Sequence, residues 1–473
     1  MQTYLFYDLE TTGLNKAFDQ VLQFAAIRTD MQFNEIERHE YYVRLNPDTI
    51  PSPFATITHH ISIKQAQTGL CEYETMRKIH ALLNEPGTIS LGYNTLRFDD
   101  EFLRFSFYRN LLTPYTHQFA NACGRMDLYP MILLHYLYKP DVLIWPVIEN
   151  KISLKLEHLS THNALTVGRA HDAMVDVLAT VALAKKLSED TQMWTYVKSF
   201  FSKEGHLGHI AKLPLSFRVN DESFREGIAI CGKLGFQAQF HAPVLFLGHH
   251  KVYKNQLLWL RLDSATLPEA TEDTLNEHIF VITQKLGEPG FILPMNERFM
   301  AHLSEERKQL ILSNKEWLQN HPSLLKAIVL HYSTYTYPEQ PLADKDAALY
   351  LRGFPTPRDL KSANDFHHSD LAEKSQAVDR MHNSHQRAQA IRILGRNFSH
   401  ALSADQRLEF EKYLQDIQQA KAIIDFRGEP RYTLINARED IAKLLADSTL
   451  TVEQTALLHE LQQYVDIRQG DSA

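Results

Sequence analysis

The chain has 473 residues, 44% of them hydrophobic and 22% charged, which exceeds one ordinary domain and leaves ample apolar content for a packed core. Its 57 acidic residues against 49 basic ones give a formal charge of −8, which excludes a uniformly basic nucleic-acid binder but leaves room for a local basic groove. Cys71, Cys123 and Cys231 are widely spaced and form no CxxC pair, so neither a disulfide framework nor a cysteine zinc site is expected.

The chain starts directly on a strand pattern, with no basic leader, and no apolar run reaches the ~18 residues that cross a membrane. With the cysteine usage, this makes a cytoplasmic location and no membrane partner the expectation. Thr3–Tyr7, Val21–Thr29 and His39–Leu45 read as strands joined by polar loops. Cys71–Leu83 has helical spacing, and Thr88–Tyr93 reads as a further strand. Helical patterns follow at Glu101–Leu112, Leu128–Tyr138 and Ala173–Leu187. Residues 1–195 therefore read as a mixed-sheet α/β domain. Ser202–Pro214 is small and polar and reads as a linker. Residues 200–340 are β-rich through Ile228–Ile282. After a second boundary at Pro338–Asp346, residues 345–473 read as all helical.

The chemistry concentrates in three stretches. "YDLETTGL" places Asp8 and Glu10 one residue apart at the end of the first strand, so both project from one face. Two bare carboxylates that close repel unless one keeps its proton or a hard cation sits between them. A polar strand end facing water is the plain alternative. "GYNTLRFDDEF" places Asp99 and Asp100 at a helix start, where acids are also ordinary caps. "RAHDAMVDVLATVALAKKL" places His171 before a helix and Asp176 between Val175 and Val177, where an acid needs a reason such as metal ligation.

Together "DLETTG", "NTLRFDDEF" and "HDAMVD" resemble the three motifs of DEDD-type 3′–5′ exonucleases, in the variant with a histidine five residues before the last aspartate. "QFAAIRTD", "LGYNTLRFDDE", "FYRN", "LEHL", "AHDAMVDVLAT" and the distant "GRNF" resemble bacterial exonuclease I, densely over the first ~190 residues and thinly beyond. The resemblance implies a ribonuclease H-like exonuclease domain, an SH3-like β-rich domain and a C-terminal helical domain. It implies metal ligation by Asp8, Glu10, Asp99 and Asp176, with His171 as general base and Asp100 as a helix cap. Two Mg²⁺ ions about 4 Å apart, replaceable by Mn²⁺, would clamp the scissile phosphate. The implied activity is stepwise 3′→5′ hydrolysis of single-stranded DNA to nucleoside 5′-monophosphates in DNA repair and recombination. The acidic tail of single-strand DNA-binding protein is the implied protein partner, and a monomer is the default state. An exoribonuclease or oligoribonuclease with the same chemistry is the alternative enzyme. A non-catalytic strand-binding protein on a nuclease fold is the alternative of another class.

Strand contacts are expected from Glu10, Asn94, Arg104, Tyr115 and Phe119 around the site, while Phe105, Phe107 and Tyr108 are expected to pack their helix. Lys155 stands where the family has an arginine before "LEHL", offering a phosphate a point charge in place of a fork. Met381–Ala404 contains no acidic residue, so Arg387, Arg392 and Arg396 are expected to form a local positive surface; a solvated helix face is the plain alternative, and the resemblance to exonuclease I implies that the surface faces DNA. The histidine pairs 59–60, 249–250 and 367–368 lack the spacing of a zinc site.

Overall fold

The computed structural model describes residues 1–166, 168, 171–288, 290–418 and 423–470. By compactness the chain forms two units, one of Met1–Gly124, Thr166–Val181 and Glu339–Ala473, the other of Arg125–Leu165 and Ala182–Pro338. The three consecutive segments read from the sequence follow chain order. The compact units do not, because the last segment packs onto the first.

In the first unit, β1 (Thr3–Thr11), β2 (Val21–Thr29), β3 (Glu35–Tyr42) and β4 (Thr88–Gly92) form a mixed sheet in the order β3-β2-β1-β4. β1 runs antiparallel to β2, with Asp8 opposite Ala25 and Glu10 opposite Gln23, and parallel to β4, with Phe6 opposite Leu91. The alternation of β1 decides its two faces. Leu5, Tyr7 and Leu9 pack with Met76, Ile79 and Leu83 of α3 (Glu72–Leu83) and Phe102, Leu103 and Phe107 of α4 (Asp99–Arg109). Tyr4 and Phe6 point the other way, where Tyr4 stacks on Phe33 with centroids 5.4 Å apart. Asp8 and Glu10 continue that second face toward the strand's end.

Two short helices occupy a stretch that carried no sequence reading: α1 (Pro53–His59) and α2 (Ile63–Gln67). The backbone N–H of Ser52, the residue capping α1, donates to Thr12 O at 2.7 Å, so α1 starts against the end of β1. The third strand is Glu35–Tyr42 and not His39–Leu45, since its pairing with β2 begins at Glu35.

The C-terminal stretch is helical, as expected, with Ser384–Asn397, Leu434–Leu445 and Val452–Gly470 among its helices. Its apolar faces join those of the N-terminal stretch. Tyr73 and Cys71 share one core with Phe366, Ile391 and Leu394, and Leu22, Leu45 and Ile63 share another with Ile441, Leu461 and Val465. An amphipathic helix owes most of its stability to such burial, which is why the two ends of the chain form one unit.

The second unit holds an antiparallel sheet of five strands, ordered Val281–Lys285, Gln256–Arg261, His241–His249, Glu226–Ile230, Phe291–Pro294. The helices Glu305–Asn320 and Pro322–Thr334 follow it, with Ile311, Leu318, Leu325 and Ile328 in the same core as Leu258 and Leu260. The expected linker at 202–214 is instead largely the helix Lys203–Ala211. Ser202 caps it by accepting from Gly205 N, and buried His206 and Ile210 outweigh two glycines. Among the described residues, no helix is long and apolar enough to cross a membrane.

Candidate active site

The parallel pairing of β1 and β4 sends both strands' carboxyl ends the same way, and this assembles the site. β4 ends at Gly92, where a Cβ would lie 2.6 Å from Tyr7 O and 2.2 Å from Thr95 Cγ2. Only glycine allows this close approach. The chain then turns through Asn94, in the left-handed region at φ 64°, into α4. Asp99, the first residue of α4, is 4% exposed, and its Oδ1 accepts the N–H of Leu9 at 3.2 Å. That bond sets Asp99 beside the backbone between Asp8 and Glu10.

The third motif comes from the helix Ala173–Ser188. Asp176 lies in its first turn, and its Oδ2 accepts the N–H of His171 at 3.2 Å. His171 is held in the left-handed region at φ 61°, a conformation that costs a non-glycine residue energy and that clusters at functional sites. One ligand atom each of Glu10, His171 and Asp176 lie within 4.8 Å of one another. His171 does not cap the helix. Asp172 does, accepting from Met174 N at 3.0 Å and Val175 N at 3.4 Å.

The electrostatics of the cluster are those of crowded carboxylates. Burial pushes Asp8 well above its usual range, and the charges of Asp99, Glu10 and Asp176 push it further. Burial and then Asp176, Asp99 and Asp172 push Glu10 up to about 9. Four acids from three separated segments thus gather where each opposes the others' ionisation. An all-oxygen donor set of this kind fits a hard divalent cation.

Several expected strand contacts lie elsewhere. Asp100 is fully buried and does not cap α4. It pairs with Arg104 Nη2 at 2.7 Å and His117 Nε2 at 2.9 Å. Arg104 is 3% exposed, also paired with Glu101 and lying 5.5 Å from the Tyr115 ring centroid, so it serves the packing of α4 and is not a surface cation. Tyr115 is half-buried, its ring also edge-on to Phe354. Asn94 and Phe119 are exposed, Phe119 by 70%. Phe105 and Phe107 are fully buried and Tyr108 half-buried, as expected of packing residues. Lys155 is exposed in the second unit, its Nζ 3.3 Å from Glu157 Oε1.

The positive surface expected of Met381–Ala404 does not form. Arg392 makes a two-pronged pair with Asp344 at 2.7 and 3.0 Å and lies 3.7 Å from the Tyr413 ring centroid. Arg396 bridges Asp48 and Asp346, both at 2.6 Å. Arg387, half-buried, pairs with Glu409 at 2.7 Å. The segment lacks acids of its own because distant acids supply them.

Two residues outside the motifs reach this neighbourhood. Lys16 Nζ donates to Arg97 O, just ahead of Asp99, and burial lowers its pKa while the charges of Glu101 and Asp99 oppose the fall. His59, the last residue of α1, is 6% exposed and close enough to His171 for the two charges to oppose each other. Lys16 carries no sequence signal beyond being a lone basic residue after the first motif, and His59 none beyond the histidine pair 59–60.

A family model for "Exonuclease" matches residues 5–184, and one for the "Exonuclease I C-terminal domain" matches 343–467. Exodeoxyribonuclease I of Escherichia coli strain K12 is 30% identical over 369 residues, 74% of this chain and 76% of that protein. The chain belongs to the exodeoxyribonuclease I family. The crystal structure of the E. coli family member in complex with a dA16 oligonucleotide matches with a TM-score of 0.86 at 25% identity, covering 99% of this chain and 100% of that one. The structure of SSB/exonuclease I in complex with the inhibitor CFAM matches with a TM-score of 0.83 at 25% identity, covering 99% of this chain and 100% of that one. The match over both ends of the chain accords with the ribonuclease H-like exonuclease fold and C-terminal helical region of the family.

Proposed function

We propose that the chain is a divalent-metal-dependent 3′→5′ exodeoxyribonuclease that shortens single-stranded DNA from a free 3′ end and releases nucleoside 5′-monophosphates. The observation that carries this reading is the mutual crowding of Asp8, Glu10, Asp99 and Asp176, with His171 against Asp176, in a chain matched end to end by an exonuclease I bound to an oligonucleotide. The four carboxylates would hold Mg²⁺, two ions by the family's precedent, with Mn²⁺ a fitting substitute because the donors are all oxygen. Bound there, the cations supply Lewis acidity and neutralise charge at the phosphodiester.

The chain's own residues do the rest. The Leu9 N–H fixes the Asp99 carboxylate, and the His171 N–H fixes that of Asp176. His171 accepts the proton of the attacking water. Its exposed position lets the imidazole return that proton to solvent after each cleavage. Phe119 offers a base an open ring face, and Asn94 a polar tip beside β4. Tyr115, Lys155 and Arg387 complete the proposed strand contacts, while Arg104, Arg392 and Arg396 are assigned to packing.

The three-segment layout of 1–195, 200–340 and 345–473 is proposed as the functional division, and a cytoplasmic monomer acting in DNA repair and recombination as the setting. The similarity to an SSB/exonuclease I structure supports single-strand DNA-binding protein as a partner.

Digestion of matched 5′-labelled DNA and RNA oligonucleotides, with Mg²⁺, Mn²⁺ or EDTA, tests the reading. Stepwise 3′ shortening of DNA with a divalent ion is expected. Absence of cleavage, or cleavage of RNA alone, would overturn it.

A further inference from the structure

The acid cluster is rich in acceptors and poor in donors. Carboxylates accept only, and so do the oxygens of a phosphodiester, so a nucleotide in the site needs N–H or O–H groups from elsewhere in the chain. His59 has one to offer. The residue is 6% exposed at the end of α1, and its Nδ1 accepts the N–H of Ile61 at 2.9 Å. A ring nitrogen that accepts carries no proton, so the proton of the neutral ring sits on Nε2. Among the described residues, His59 Nε2 has no hydrogen-bond partner.

A buried donor left unmade is costly, and one beside a proposed active site asks for a ligand. Its placement is fixed from both ends. α1 starts against Thr12, two residues past Glu10, through the Ser52 N–H. It ends in the left-handed turn at His60, φ 60°, whose N–H bonds back to Thr56 O at 3.0 Å. Burial disfavours a charge on the ring, and His60 and His171 act in the same sense. Burial and both histidines thus favour the neutral ring, which donates from Nε2, distinct from the proton-accepting role assigned to His171.

We propose that His59 is a substrate-binding residue whose Nε2–H donates to a phosphate oxygen of the 3′-terminal nucleotide. The proposal rests on the exonuclease reading and adds to it a contact from outside the three motifs.

The test compares the full-length chain with His59→Phe and His59→Gln. Phenylalanine keeps the ring's bulk without the donor, and the glutamine amide nitrogen can take the place of Nε2–H. Thymidine 5′-monophosphate is titrated calorimetrically in Mg²⁺, with thermal unfolding in parallel and KM and kcat on a short oligothymidylate. His59→Phe should bind the nucleotide about tenfold more weakly, the usual scale for a hydrogen bond to a charged acceptor. His59→Gln should recover to within about threefold of the parent, and the loss in His59→Phe should appear in KM more than kcat. Parent-like nucleotide affinity in His59→Phe would overturn the proposal. So would equal weakening in both variants that tracks a fall in Tm, since that marks a packing residue. If the parent chain itself releases no mononucleotides, the exonuclease reading falls and takes this contact with it. If the parent is active and only the His59→Phe result fails, the exonuclease reading stands alone.

Discussion

Glu10→Gln makes the electrostatic argument measurable without any catalysis. In the unfolded chain Glu10 titrates near 4.5, and in the folded, metal-free protein burial and the neighbouring acids raise it to about 9. The sign follows from linkage. The folded state holds this proton more tightly, so its contribution to stability is present in full below 4.5 and is lost as pH rises toward 9. Each tenfold preference for the proton is worth about 1.4 kcal/mol, so the whole interval caps the loss at roughly 6 kcal/mol. Water at the half-exposed edge and the sharing of protons among the four acids bring the expected loss to about 2 kcal/mol. Glutamine removes the charge and keeps the shape. In EDTA, Glu10→Gln should match the parent near pH 4.5 and exceed it by about 2 kcal/mol, or a few degrees in Tm, near pH 9. Mg²⁺ should stabilise the parent and narrow the gap, because a bound cation does for the ionised cluster what the mutation does by deleting a charge. Thermal unfolding across pH 4.5–9, with and without Mg²⁺, checks both. Parent stability in EDTA that is flat with pH, with no gain from Glu10→Gln, would refute the picture of a crowded acid cluster.

Asp8→Asn and Asp176→Asn should each abolish hydrolysis while the protein stays folded, read by oligonucleotide digestion beside circular dichroism; near-normal Mg²⁺-dependent activity in either would remove it from the site. His171→Ala should lower turnover by about 10²–10⁴ with little change in Tm, because Asp172 and not His171 caps the helix. Arg396→Ala should destabilise the fold by about 2–3 kcal/mol in denaturant unfolding, since it removes one of two arginines from each of buried Asp48 and Asp346 and leaves them Arg431 and Arg392, whereas Arg387→Ala should cost under about 1 kcal/mol. Acid should loosen the same network. Despite burial, the arginines hold Asp48 far below its usual range, and Arg392 and Arg396 hold Asp346 down to about 2, so stability present above about 4 should fall as pH drops toward 2.

Local rules made the centre of the site legible. A period of two puts Asp8 and Glu10 on one face of a strand, and the resemblance to the three exonuclease motifs implies Asp99, His171 and Asp176 as their partners. The strand–helix alternation of the first 190 residues and the helical end of the chain are likewise local patterns, and both appear in the fold.

Pairing partners are another matter, because charge and burial at one residue depend on what distant residues bring to it. Met381–Ala404 reads as a cationic surface, yet Asp48, Asp344 and Asp346 reach it from two other stretches and turn Arg392 and Arg396 inward. Asp100 reads as a cap until Arg104 and His117 enclose it. Ser202–Pro214 reads as a linker until a buried face gives its short helix something to pack against. The sequence by itself determined that Asp8 and Glu10 share one face of a strand, since side-chain direction along a strand is a property of the local chain, and its family resemblance named Asp99 and Asp176 as the acids proposed to join them. Only the tertiary structure decided which charges face solvent, which neutralise one another, and where a buried donor such as His59 is left without a partner among the described residues. Most of those outcomes depend on contacts between residues tens to hundreds of positions apart, which no local pattern encodes.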